Sequence, residues 1–274
     1  MEKQATPQEK YVTVKGLRLH YVDWGNETRQ VMLLVHGLQD CARNWDIFAA
    51  SMSRDYHVLA IDHRGHGDSQ WSSEAAYRLK DYVDDIIGFI DELKLRNVVY
   101  IGHSAGGRNA MVYIASHPDK IERLVIADID PLGFNPESSR MRAGFESESD
   151  EWDSIEAVVE RLRLRAPRAP REVLLHHALY MTKGLPGERR TWKRDRAILP
   201  AYERPELWTY YRKINCPTLI VRGEDSAILT PEVAQEMVKS LPGAKLVELK
   251  EAGHWCYDEN LTDFEAAVRE FLGK

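Results

Sequence analysis

Asn97-Val98-Val99-Tyr100-Ile101-Gly102-His103-Ser104-Ala105-Gly106-Gly107 begins as a short apolar run and ends as the start of a helix. The NVVYI segment reads as a strand buried on both faces, and Ala105–Ser116 reads as the helix that follows it. Gly102-His103-Ser104-Ala105-Gly106 fills the junction with the spacing G-x-S-x-G. A tight strand-to-helix turn holds a serine oxygen out at the sheet edge, and small residues two places on either side let the backbone pass closely. Ser104 is therefore the expected nucleophile.

Working outward, the same alternation of strand and helix continues. Tyr11–Val14 and Leu17–Asp23 alternate with period two around Gly16 and suggest a hairpin. Val31–Val35, Val58–Ile61 and Arg123–Ala127 are further continuous apolar runs. Helical spacing marks Asn44–Ser53 and Leu79–Leu95 between them. The expected fold is α/β, a doubly wound and mostly parallel sheet with helices on both faces.

From about Leu132 to Lys213 no buried strand is apparent. Seven acidic residues and no Lys or Arg lie within 146–160, whereas eleven Lys or Arg face three acids within 161–196. Strands resume at Pro217–Val221 and Lys245–Leu249. A helix between them is opened by Thr230-Pro231, and a terminal helix spans about Leu261–Leu272. The expected organisation is a core of 1–131 and 214–274, interrupted after the sixth strand by a helical cap of 132–213.

The 274 residues are 43% hydrophobic and 29% charged with a net charge of −6, which suits a globular domain and gives no global pull toward nucleic acid or anionic membrane. No run approaches the roughly 18 apolar residues of a membrane span. The start, MEKQATPQEK, has no apolar h-region, so no signal peptide is expected. Cys41, Cys216 and Cys256 are odd in number and widely spaced. They read as free thiols in a reducing, cytoplasmic compartment.

A serine hydroxyl is a poor nucleophile until a base takes its proton. His254 lies between the last strand and the terminal helix, at the carboxyl edge where sites of open α/β sheets gather, and is the expected base. His103 flanks Ser104 within the turn and reads as structural, as do His176 and His177 in the insertion. The base needs a carboxylate to orient it. Two acids follow strands in the right chain order: Asp128, within Asp128-Ile129-Asp130-Pro131, and Asp225, after Pro217–Gly223.

These features together resemble the α/β-hydrolases of the esterase and C–C hydrolase type. The resemblance rests on His36-Gly37-Leu38, Asp62-His63-Arg64-Gly65-His66-Gly67-Asp68-Ser69, the GHSAGG turn, Val221-Arg222-Gly223-Glu224-Asp225 and Gly253-His254. It covers roughly 11–131 and 214–274. The family usually places its acid three residues after the glycine ending the seventh core strand, where this chain has Ser226. Some members, including small bacterial acyl esterases, place it after the sixth strand in a D-I-x-P context, which Asp128–Pro131 resembles. Asp128 is the expected acid, with Asp225 as the alternative and Asp130 behind both.

The resemblance also implies an oxyanion hole formed by the backbone N–H groups of Leu38 and Ala105, with His36 and the 62–69 segment supporting the loops. Dehalogenases and epoxide hydrolases of this fold carry Asp where this chain has Ser104, which argues against both. No H-E-x-x-H, calcium-loop or phosphate-loop motif occurs, so no metal or cofactor is expected. The expected partner is a small ester-type substrate. Cap insertions of the family cover the site and select substrate. Arg161, Arg163, Arg165, Arg168 and Arg171, with Arg189–Arg196, either face inward toward an anionic substrate or form a solvated face paired with the acidic block. Trp152, Trp192, Trp208 and Tyr210 are candidates for an aromatic wall or for packing.

Overall fold

Continuous apolar runs become parallel strands here because both faces of each are covered, leaving the backbone only its neighbouring strands as hydrogen-bond partners. The computed structural model of the protein describes residues 6–274. The first half of the polar start read above, residues 1–5, lies outside the described residues. The core strands are β1 (Gln8–Val14), β2 (Leu17–Asp23), β3 (Val31–Val35), β4 (His57–Ile61), β5 (Val98–His103) and β6 (Ile121–Ala127). Three short strands follow, β7 (Glu151–Trp152), β8 (Thr182–Gly184) and β9 (Arg190–Trp192), before β10 (Thr218–Gly223) and β11 (Lys245–Leu249) rejoin the core.

The eight core strands form one sheet in the order β1-β2-β4-β3-β5-β6-β10-β11. The β1–β2 and β2–β4 pairs are antiparallel and the rest are parallel. The hairpin turns on Lys15 and Gly16, both at positive φ. Strand alternation sorts the core into two layers. Leu34, Ile101, Val125 and Val221 meet Trp45, Phe48 and Phe264 on one face. Leu33, Tyr100, Ile126 and Ile220 meet Ile86, Phe89 and Met111 on the other.

Two expected helices differ in detail. Asn44–Ser53 resolves into a 3₁₀ turn over Ala42–Trp45 and a helix over Asp46–Met52. The helix expected to reach Leu95 ends at Glu92, because Lys94 takes positive φ and turns the chain toward β5. The segment between β6 and β10 is not purely helical. Helices Pro136–Ser147, Ile155–Arg165 and Arg171–Met181 are accompanied by an antiparallel sheet, β7-β9-β8. Its strands are two or three residues long, too short for alternation to register in the sequence.

Candidate active site

The carboxyl ends of β3, β5, β6, β10 and β11 open onto one edge of the sheet, and each delivers one part of the site. At the end of β5, Ser104 takes φ 50° and ψ −118° and serves as the N-cap of helix Ala105–Ser116. Such a backbone costs of order 1–3 kcal/mol and persists only where its surroundings over-determine it. The flanking glycines show how. A Cβ on Gly102 would lie 2.6 Å from the Gly106 carbonyl, and one on Gly106 would lie 2.3 Å from the Val35 carbonyl oxygen. The steric reading of G-x-S-x-G thus corresponds to two specific backbone approaches.

His254 bridges the other two chemical groups. Its Nε2 lies 3.1 Å from Ser104 Oγ and its Nδ1 lies 2.8 Å from Asp128 Oδ2. Asp128 is buried at the end of β6 and also takes positive φ, 49°. Its N–H donates to the Val221 carbonyl at 2.7 Å, and its Oδ1 accepts the Gly223 N–H at 3.0 Å. Its Oδ2 also accepts from the Ser226 hydroxyl. Ser226 occupies the position where the resemblance would place the acid, and there it donates a hydrogen bond to the carboxylate on the neighbouring strand.

The alternative acid is placed elsewhere. Asp225 is half exposed and pairs with Arg168 at 2.6 Å, with no hydrogen bond to His254. Asp130 is buried but turns away, accepting from the Leu132 N–H, the Asn135 amide and Arg204. His176 pairs with Asp46, and His177 meets Asn44, both from the Arg171–Met181 helix. The structure therefore brings Ser104, His254 and Asp128 together and leaves Asp225, Asp130, His176 and His177 outside that chain.

Leu38 and Ala105 both line the cavity beside Ser104, and their N–H groups have no hydrogen-bond acceptor among the described residues. The loop carrying Leu38 is pinned from behind. His36 Nε2 accepts the His63 N–H at 3.0 Å, His66 Nε2 accepts the Gln39 N–H at 3.2 Å, and Asp62 Oδ1 accepts the Ala42 N–H at 2.6 Å. Burial lowers the His36 and His66 pKa values, His66 to about 3, so both serve as neutral acceptors. Buried His103 contacts the His254 carbonyl through Nε2 at 2.8 Å and has Nδ1 3.7 Å from Asp40 Oδ2.

Burial pushes the Asp40 carboxyl up, but the Arg165 guanidinium and His103 pull it further down, well below the usual carboxylate range. Arg165 forms a buried ion pair with Asp40 and also lies 4.4 Å over the Trp255 ring. It is the basic residue of the 161–196 run that reaches the site loop, and its charge is already matched. Arg161 and Arg194 pair with Glu148, Arg171 with Glu156, Arg189 with Glu151, and Arg196 with Asp150, the acidic block named above.

The cavity over Ser104 encloses about 280 Å³. Its aromatic surfaces come from Phe145, Tyr202 and Trp255, which the sequence did not single out. Trp152 and Trp192 instead pack edge to face within the insertion, and Trp208 packs against Tyr211. Sequence reasoning also missed the cavity's guanidiniums. They belong to Arg108, Arg142 and Arg204, which stand outside the basic run. Arg108 falls one turn after Ser104, and that i, i+4 spacing was the available signal.

The family profile described as alpha/beta hydrolase fold matches residues 30–261. An sn-1-specific diacylglycerol lipase of Mus musculus is 28% identical over 259 residues, covering 90% of this chain and 82% of the lipase. A 2-(acetamidomethylene)succinate hydrolase of Mesorhizobium japonicum is 28% identical over 244 residues, covering 88% and 87%. A crystal structure of E-2-(acetamidomethylene)succinate hydrolase superposes with a TM-score of 0.90 at 25% identity, covering 98% of this chain and 100% of that one. With the sheet order and the strand-to-helix turn described above, these matches show that the chain belongs to the alpha/beta hydrolase fold family.

Proposed function

We propose that the protein is a serine hydrolase that cleaves a small or medium ester, lactone or thioester through an acyl-enzyme on Ser104. The observation that carries this reading is the hydrogen-bond chain from Asp128 through His254 to Ser104. His254 Nε2 takes the Ser104 hydroxyl proton as Oγ attacks the substrate carbonyl, while Nδ1–H donates to Asp128. The Leu38 and Ala105 N–H groups receive the oxyanion. The imidazolium then gives its proton to the leaving group, and water repeats the sequence on the acyl-enzyme with His254 again as base. The 132–213 segment acts as the cap that selects substrate.

A second reading, hydrolysis of a C–C bond in a vinylogous diketone, uses the same three residues. It is favoured by a 2-hydroxymuconate semialdehyde hydrolase of Pseudomonas sp. strain CF600, 23% identical over 243 residues. A serine-directed fluorophosphonate tests the nucleophile: Ser104 becomes labelled in folded protein, and Ser104→Ala abolishes the label. Absence of labelling would sink the enzyme reading in favour of a non-catalytic small-molecule receptor on the same fold. Turnover of p-nitrophenyl esters against ring-cleavage diketones separates the two chemistries.

A further inference from the structure

Two guanidiniums bordering the cavity share a single carboxylate. Arg108 is fully buried, and its NH groups donate to the backbone carbonyls of Asp130, Leu132 and Pro205 rather than to an acid. Arg204 donates to Asp130 Oδ1 at 2.5 Å and to Ser138 Oγ at 3.3 Å. Asp130 Oδ1 lies 3.8 Å from Arg108, so one carboxylate stands between two cations. The Nε–H groups of both arginines are buried with no acceptor. The other charges around the cavity are matched, Arg142 by Glu146 and Asp40 by Arg165.

Burial lowers the Arg108 pKa to about 10, with Tyr202 and Asp130 opposing and Arg204 adding to the fall, so the group stays charged at neutral pH. An excess buried positive charge and two unused N–H donors are costly unless an anion completes them. Ser138 and Ser139 line the same region from the first turn of the helix Pro136–Ser147, whose positive end adds to the attraction.

We propose that this end of the cavity is a carboxylate subsite in which Arg108 and Arg204 hold an anionic group of the substrate. Arg108 follows Ser104 by one helical turn, roughly 6 Å along the axis. The bound carboxylate is therefore only a few bonds from the carbonyl that Ser104 attacks, and the substrate class is a short acyl compound bearing a second, free carboxylate. Which bond is cut rests on the serine hydrolase reading above, whereas anion binding does not.

The test compares monomethyl glutarate with methyl pentanoate in a pH-stat and titrates glutarate into the intact protein by calorimetry. The expected preference for the hemiester in kcat/KM is about 10- to 100-fold, the range that a charge-assisted hydrogen bond supplies. In Arg204→Met that ratio collapses toward one through KM, and glutarate binding weakens at least about ten-fold. Equal turnover of both esters with no glutarate binding overturns the subsite while leaving the hydrolase standing. Glutarate binding that Arg204→Met weakens, without turnover or serine labelling, keeps the subsite and removes the hydrolase. Absence of both overturns both. The wild-type arms need no variant, so they decide even if Arg204→Met folds poorly.

Discussion

At the scale of single residues, the third member of the proposed triad is the informative one. Asp128 is buried, directed at His254 Nδ1 and held by the Gly223 N–H and the Ser226 hydroxyl, whereas Asp225 is half exposed and spent on Arg168. Asp128→Asn should lower kcat by about 10⁴, the precedent for an aspartate that orients a catalytic histidine. Asp225→Asn should leave kcat unchanged and shift stability by less than about 1 kcal/mol, as expected of an exposed pair. Both are read from p-nitrophenyl butyrate turnover and a thermal melt; a crippled Asp225→Asn beside a normal Asp128→Asn would reverse the assignment. The contact between Ser226 and Asp128 permits a sharper trial. The double variant Asp128→Asn with Ser226→Asp places a carboxylate where the family usually has it, so it should recover at least about ten-fold over Asp128→Asn alone. No recovery would mean that the β10 end cannot aim an acid at His254.

At the scale of elements, the turn between β5 and its helix depends on how near the backbone of β3 comes. Ser104 keeps its positive φ because the Gly106 Cα fits against the Val35 carbonyl with no room for a side chain. Gly106→Ala should push the helix start off β3, costing about 1–3 kcal/mol of stability. The same displacement moves the Ala105 N–H, so serine-probe labelling should slow more than the melting temperature alone predicts. A variant with unaltered labelling and melting would show that the turn tolerates a Cβ and that the glycine is incidental. Asp128 at the end of β6 makes a second positive-φ position one strand away. Ser104 and Asp128 thus both sit on strained strand ends, anchored by the Ala127 and Val221 carbonyls on adjacent strands.

At the scale of the whole molecule, the insertion is tied to the core by charge as well as packing. The buried Arg165–Asp40 pair fixes the insertion to the loop that carries Leu38. Asp40 is held below its unfolded pKa, so in the wild type its contribution to stability is present above about pH 4 and lost as the pH falls toward the folded value. Arg165→Met removes the largest influence opposing burial at Asp40 and should raise its pKa toward the range where burial dominates. The variant should therefore be destabilised by about 3–5 kcal/mol at pH 8, the cost of leaving half a buried pair. The deficit should shrink at pH 5 as Asp40 takes up a proton. Calorimetric melts at the two pH values check this, and a deficit that grows on acidification would show that Asp40 is not the group responsible.

The strand-to-helix turn at Ser104, the place of His254 after the last strand and the parallel core were legible in the sequence because each depends on local pattern: a glycine-spaced turn, a histidine beyond the final strand, and apolar runs of strand length. That Asp128 rather than Asp225 meets His254 was legible only in part, since chain order allowed two acids. It was tertiary structure that turned Ser226 toward Asp128 and Asp225 toward Arg168, a matter of side-chain direction at strand ends. The short β7-β9-β8 sheet and the aromatic lining of the cavity were hidden because neither has a periodicity long enough to read. The basic run of 161–196 is dense, yet most of its charges pair with the acidic block and the core. Sequence composition counts charges, and only folding decides which ones lose their water and share one carboxylate with a second cation, as Arg108 does with Arg204.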